Sequence, residues 1–315
     1  MSISLDGKVA VVTGSGRGIG RSYAKALAAH GAAVVVNDID GDVTAAVVDE
    51  ITAAGGRAVG EVAAVGPADA ADRLVARAVE AFGRLDVMCT NAGVLRDKMM
   101  WRLEDEDFDL VIDTHMRGTF TCARSAVRQF RAQNEAAGEG GPQGGRIIAV
   151  SSVAGQYGNF GQTAYSAAKA GIAAMVRTWA LELERYGITA NAIVPNALTR
   201  MVATIPGMAE LVEAAERGEP IAPSLRMGLG MGTPDDVAPL VVFLASDAAA
   251  KITGQAIGLG GDRLSLFGHP YEKSTAFKEG GWTAEHIAEL FPVTVGAHLE
   301  PYGIPNMGRK QPSIS

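Results

Sequence analysis

The chain is short of cysteine, of positive charge and of long apolar runs, and each shortage closes off a class of function. Its two cysteines, Cys89 and Cys122, fall in a predicted strand and a predicted helix. Two reduced, buried thiols of a cytoplasmic protein fit those positions better than a disulfide. Lys and Arg number 28 against 35 Asp and Glu, a formal charge of −7. That balance argues against a general nucleic-acid binder, because a phosphate backbone demands a basic face. No apolar run approaches the roughly 18–20 residues of a membrane span. The start, MSISLDGK, reaches a strand within a few residues and leaves no room for a signal peptide, and the end, QPSIS, is not a peroxisomal address. No internal repeat stands out, and no metal site is expected.

What the chain does have is a large apolar fraction, 48% of its 315 residues, enough for one extensive α/β core. Short β-rich runs alternate with stretches of helical period, the mark of a parallel sheet with crossover helices. Strands are predicted over 8–13, 33–37, 57–62, 85–90, 146–151, 188–194 and 255–259. They read as continuously apolar, as expected of strands covered on both faces. Helices are predicted near 19–30, 42–54, 68–82, 105–134, 163–186 and 235–246, with Gly31 and Gly55 at helix ends and Thr233-Pro234 opening the last. The polar, glycine-rich stretch 135–145 is expected to be a mobile surface loop. From about Leu264 the sheet pattern stops. The division expected is a nucleotide-binding domain over 1–263 and an extension over 264–315, with a short helix near 284–290, that wraps the domain or a partner subunit.

After the first strand, T-G-S-G-R-G-I-G carries Gly14, Arg17, Gly18, Ile19 and Gly20. Glycines allow a tight turn and a close approach of backbone to phosphate, and the following helix start favours negative charge. A glycine turn alone could be purely structural. Asp38, ending the second strand, adds a carboxylate able to accept both adenosine ribose hydroxyls and to repel a 2′-phosphate, which favours NAD. Arg17 beside the turn could serve a 2′-phosphate or be a solvated surface residue.

Tyr165 and Lys169 stand four apart on one helix face, with Ser152 thirteen residues before the tyrosine. A nearby ammonium favours the phenolate of a tyrosine, so Tyr165 can accept a hydroxyl proton while hydride leaves the same carbon. Ser152 at a strand end can polarise that oxygen. The chemistry indicated is hydride transfer at a secondary alcohol or ketone.

These residues together resemble the short-chain dehydrogenase/reductase family, from about Leu5 to Asp262, with N-A-G at Asn91–Gly93 in the family order. The resemblance implies a Rossmann-type, doubly wound, seven-stranded parallel sheet with helices on both faces, NAD(P) binding and a Ser-Tyr-Lys core. It implies that Asn91 and Gly93 line the cofactor cleft, that Lys169 also holds the nicotinamide ribose, and that Thr199 meets the carboxamide or phosphate. Three positions depart from the family. His115 replaces the usual catalytic asparagine and could relay a proton through water or simply pack. Gly66 replaces an adenine-binding aspartate, leaving Val65 and backbone. Pro195-Asn196 replaces Pro-Gly.

The runs VVVND, GVLRDKM, HMRGTF, YGNFGQTAYSAAK and PNALTRM are similar to the (3R)-hydroxyacyl-CoA dehydrogenase unit of peroxisomal multifunctional enzymes. That likeness implies an NAD-dependent oxidation of a (3R)-hydroxyacyl-CoA, with a hydroxysteroid dehydrogenase and an NADPH-dependent 3-oxoacyl reductase as rivals. An intact Ser152, Tyr165 and Lys169 argues against a non-catalytic nucleotide sensor. Met99, Met100 and Trp101 beside Arg96, Lys98 and Arg102 suit an acyl chain on a phosphate-bearing carrier, or are a helix start with solvated charges. A homodimer or homotetramer is expected, with Phe120, Met175, Val176 and Trp179 on the two long helices at its interface.

Overall fold

The computed structural model describes residues 3–138, 144–205 and 207–305. The first half is a regular β/α alternation: β1 (Val9–Val12), α1 (Gly18–Ala29), β2 (Ala33–Asp38), α2 (Gly41–Ala53), β3 (Arg57–Val62), α3 (Ala68–Phe82) and β4 (Val87–Thr90). The second half continues with α4 (Asp105–Ile112), α5 (Gly118–Ala137), β5 (Gly145–Val150), α6 (Val153–Tyr157), α7 (Thr163–Leu183) and β6 (Ile188–Pro195). Then come α8 (Arg200–Ala203), α9 (Ala209–Glu216), α10 (Pro234–Ala245), β7 (Ala256–Gly260), β8 (Arg263–Phe267) and α11 (Ala284–Leu290).

The local sequence accounts for these limits. In α1 the buried Tyr23, Ala24, Leu27 and Ala28 repeat at helical spacing and turn one stripe to the sheet. Fully burying side chains such as Leu27 contributes about 1.5–3 kcal/mol each. Gly31 takes φ +101° just past α1 and Gly55 φ +84° just past α2, a region that glycine enters without a Cβ penalty. At α10, Thr233 and Asp236 form a reciprocal capping box and Pro234 sits at the first helical position.

The strand order is β3-β2-β1-β4-β5-β6-β7-β8. β1 to β7 are parallel, and β8 runs antiparallel to β7, closing a hairpin over Gly261 and Asp262. One face is packed by α1, α2 and α10, and the other by α3, α5 and α7. Because the order reverses between β1 and β4, a crevice opens outside the carboxyl ends of the central strands.

Two sequence expectations differ from this. The sheet has eight strands rather than seven, and Leu264 lies inside β8 instead of marking the end of the sheet pattern. The run RLSLF carries no continuous apolar signal because β8 is an edge strand, with Leu264 and Leu266 exposed on one side. The helix predicted over 105–134 is interrupted by a π-helical turn at Asp113–Arg117, which re-aims His115 inward. Of the stretch 135–145, α5 reaches Ala137 and residues 139–143 lie outside the described residues. Cys89 and Cys122 are buried free thiols. Among the described residues no helix is long and apolar enough to cross a membrane.

Candidate active site

A cleft of about 760 Å³ occupies the crevice. It brings together the catalytic and cofactor-binding candidates of the sequence: Gly14, Arg17, Gly18, Ile19, Gly20, Asp38, Val65, Asn91 and Gly93, with His115, Ser152, Tyr165, Lys169, Pro195 and Thr199.

The glycine turn is shaped by close approach. A Cβ on Gly14, whose φ is +60°, would sit 2.7 Å from Ala92 Cα, and one on Gly20 would sit 2.2 Å from the Gly14 carbonyl oxygen. Gly18, at φ +52°, faces open space. Asn91 fixes the turn from below: its Nδ2 donates to the Thr13 and Gly14 carbonyls at 3.0 and 2.9 Å. Thr13 Oγ1 in turn accepts from the Asn91 and Ala92 N–H groups. Arg17 precedes α1 without a side-chain cap, so the first-turn amides remain available. An open glycine face at an uncapped helix start fits a dinucleotide pyrophosphate.

Asp38 ends β2 beside this turn. Its Oδ2 accepts the Gly16 N–H at 3.2 Å and its Oδ1 accepts the Ile39 N–H at 2.9 Å. Arg17 is turned to Asp40, with which it forms an ion pair. That contact, with burial opposing it, keeps the Asp40 carboxyl below its ordinary range, helped by the Val43 and Asp42 amides. Val65 packs against Gly118 at the foot of α5, where a Cβ would come within 2.9 Å of it.

Three elements deliver the catalytic candidates. Ser152 follows β5 and caps α6, its Oγ accepting from the Ala154 N–H at 3.2 Å. Tyr165 and Lys169 share the inner face of α7. Lys169 is buried, lies with Nζ 5.6 Å from the Tyr165 ring centre and donates to the Val150 carbonyl at 2.7 Å. Burial pushes its ammonium down to about 7. Tyr165 goes the other way. Burial raises its phenol above 10.0, a hydrogen bond with Ser152 pulls it back, and the Asp97 carboxylate raises it further. The sequence reading had the ammonium lowering the tyrosine. Nζ donates to the Val150 carbonyl, and desolvation governs the phenol.

His115 sits on the π-helical turn, buried, with its ring edge-on to Tyr165 at 5.2 Å and 86°. Its Nε2 lies 2.8 Å from the Val94 carbonyl and 3.1 Å from the Val94 N–H, and serves one or the other according to tautomer. Its Nδ1 has no hydrogen-bond partner among the described residues. Burial, then the Lys169 charge, lowers its pKa to about 3, so the ring is neutral at neutral pH. Gly93 makes room for it, because a Cβ there would stand 2.2 Å from His115 Cε1.

The cation-rich segment before α4 is not part of the cleft. Arg96 and Lys98 both pair with Asp107, at 3.2 and 2.6 Å, and Met99, Met100, Trp101 and Arg102 are exposed outside its lining. The first turn of α4 is acidic, and its carboxylate takes up the cations. The apolar wall is built instead by residues that sequence reasoning did not select: Leu95, Leu110, Tyr157, Met201, Val202, Ile205, Leu229 and Phe267. The cations there are Arg200 and Arg263, and neither has a carboxylate partner among the described residues. Gln162, three residues before Tyr165, also lines the cleft and donates to Asp97 at 2.8 Å while accepting from Asn159 at 3.0 Å.

A family model described as enoyl-(acyl carrier protein) reductase matches residues 14–261. A hydroxyacyl-CoA dehydrogenase of Mycobacterium tuberculosis is 43% identical over 272 residues, covering 85% of this chain and 81% of that protein. Peroxisomal multifunctional enzyme type 2 of Mus musculus is 40% identical over 261 residues, 80% of this chain but 31% of the enzyme, so the chain spans about a third of it. The crystal structure of a short chain dehydrogenase from Mycobacterium avium superposes with a TM-score of 0.79 at 37% identity, over 95% of this chain and 98% of that one. With that fold, that turn and that triad, the chain belongs to the short-chain dehydrogenase/reductase family of nicotinamide-dependent oxidoreductases.

Proposed function

We propose that the protein oxidises a (3R)-hydroxyacyl-CoA to the 3-oxoacyl-CoA with NAD. The observation that carries this reading is the convergence of Ser152, Tyr165 and Lys169 with the Asp38-bearing glycine turn on one cleft. Bound nicotinamide supplies the hydride acceptor and, when oxidised, a positive charge. Around it each residue has a task. The Asp38 carboxylate accepts hydrogen bonds from the adenosine ribose, Asn91 holds the glycine turn in shape, and Thr199, in front of α8, is placed for the carboxamide or phosphate. Ser152 Oγ holds the substrate oxygen. Tyr165 Oη takes its proton, since a cation beside a buried phenol restores the charged form that burial opposes. Lys169 Nζ, fixed on the Val150 carbonyl, holds the nicotinamide ribose and adds to that field. His115, neutral and edge-on to Tyr165, positions the phenol ring and offers Nδ1 as a polar group.

The names of the two relatives support the acyl-CoA assignment, as do the apolar cleft wall and the cations Arg200 and Arg263, which have no carboxylate partner among the described residues. A guanidinium without a carboxylate partner suits the phosphates of a carrier. The test compares kcat/KM for a (3R)-hydroxyacyl-CoA with that for the matching CoA-free alcohol, in the native enzyme and in Arg263→Gln and Arg200→Gln. The CoA ester is expected to be the better substrate by at least about tenfold, and both variants to raise its KM with the KM for NAD unchanged. Equal performance of the CoA-free alcohol sinks the acyl-CoA reading in favour of a steroid or simple alcohol.

A further inference from the structure

The extension after β8 leaves the sheet and comes back to α6. Phe267, the last residue of β8, has its ring 6.1 Å from that of Tyr157. At the far end of the extension the Gly303 N–H donates to the Tyr157 carbonyl at 3.1 Å. Between these contacts His269 Nε2 lies 3.0 Å from the Gly254 carbonyl, and Lys273 and Glu300 pair within the segment at 3.1 Å. The return brings Ile304 and Pro305 into the cleft lining, together with Tyr157 and Phe267.

Tyr157 ends α6, and Ser152 caps the start of that same helix. At 1.5 Å per residue the two are about 7–8 Å apart along the axis. A group attached to the carbon whose oxygen Ser152 holds would therefore reach Tyr157 within a few carbon–carbon bonds, and Ile304 lines the same cleft next to Gly303, which bonds Tyr157. The wall it meets is apolar and stiff: two aromatic rings, a β-branched side chain and a proline.

We infer that the C-terminal extension is part of the substrate site, and that Ile304 sets how large an acyl group can sit beyond Ser152. The inference rests on the dehydrogenase reading of the cleft but not on the presence of CoA. Gly303 is the hinge of the device. Its φ of +91° is one that other residues rarely adopt, so a side chain there strains the turn that delivers Ile304.

The test is a size series of (3R)-hydroxyacyl-CoA esters from four to sixteen carbons, with the CoA-free alcohols run in parallel, on the native protein and on Ile304→Ala, Ile304→Trp and Gly303→Val. Ile304→Trp is expected to lower kcat/KM for the larger members by at least about tenfold and to leave the smallest within about twofold. Ile304→Ala is expected to shift the optimum toward larger groups, and Gly303→Val to do the same by releasing the segment. The KM for NAD should be unchanged throughout, which separates a wall from a general loss of structure. A size profile that is the same in Ile304→Ala and Ile304→Trp as in the native protein overturns the inference. If only CoA-free alcohols turn over, the acyl-CoA assignment fails while the size series in those alcohols still decides the role of Ile304.

Discussion

Asp38 holds Gly16 by a 3.2 Å hydrogen bond from the glycine N–H to its Oδ2, and so joins the end of β2 to the phosphate-binding turn. The approach is close: a Cβ on Gly16 would stand 2.9 Å from that oxygen and 2.4 Å from Val43 Cγ2. The carboxylate is thereby fixed beside the turn, where the adenosine ribose of the proposed cofactor would lie, and Arg17 of the turn is engaged by Asp40. A 2′-phosphate would meet a fixed negative charge while Arg17 is held by Asp40, and like charges brought together cost several kcal/mol. NAD should exceed NADP in kcat/KM by at least about a hundredfold. Asp38→Ser should narrow the gap and Asp38→Arg reverse it. Equal constants for the two cofactors in the native enzyme would refute the assignment.

Tyr165→Phe keeps the ring against His115 and removes only the oxygen that Ser152 touches. Loss of a positioned general base costs about 10²–10⁴-fold in turnover. We expect a fall in kcat of that order with NAD binding, followed by fluorescence titration, within a few-fold of native. Lys169→Ala should weaken both, because Nζ lies 5.6 Å from the Tyr165 ring centre and, in the proposed role, also holds the cofactor ribose. A Tyr165→Phe variant that retains most of the native rate would remove the proton-transfer role.

Much of this arrangement can be read from the chain alone. The parallel strands announce themselves as uninterrupted apolar runs, and the T-G-x-x-x-G-x-G turn, Asp38, Ser152 and Tyr165/Lys169 are local patterns whose spacing survives folding. What cannot be read is what depends on distant contacts. β8 alternates Arg263, Ser265 and Phe267 toward the cleft with Leu264 and Leu266 outward, too short and too polar a run to stand out. Arg96 and Lys98 look free in sequence because nothing local says that Asp107, on the next helix, will take both. Ile304 joins the cleft beside Gly303, whose N–H bonds the Tyr157 carbonyl nearly half the chain away. The π-helical turn that aims His115 inward likewise leaves no periodic trace.

His115 makes acid stability a test of its environment. Its folded pKa is about 3 against 6.5 in the unfolded chain. Between those values the unfolded state takes up a proton that the folded state refuses, so stability is lost as pH falls from about 6.5 toward 3. Each unit of fall across that window costs about 1.4 kcal/mol for a single group. Replacing the ring by an amide removes this contribution. His115→Asn should therefore show a shallower loss of Tm between pH 6.5 and 4 than the native protein, while both behave alike above pH 7. Parallel Tm–pH curves for the two proteins would mean that the ring is not held neutral by burial.

Self-association is the remaining expectation, and burial changes which residues should carry it. Val176 is buried within the subunit, and Met175 and Trp179 are partly buried against its core, which leaves them less surface for a partner. The exposed large apolar side chains of α4, α5 and α7 outside the cleft are Phe108, Phe120 and Leu181, the last 81% exposed. Large side chains in such number on neighbouring helices mark a face that gains from being covered, and a two-fold axis covers it with its own copy. We propose a homodimer or homotetramer built on this face. Light scattering at micromolar concentration should give a mass of two or four chains. Phe120→Asp combined with Leu181→Asp should lower that mass, since two desolvated carboxylates at an apolar contact outweigh what the remaining residues contribute. A monomeric native protein at that concentration, or a double variant whose mass is unchanged, would rule out these helices as the interface.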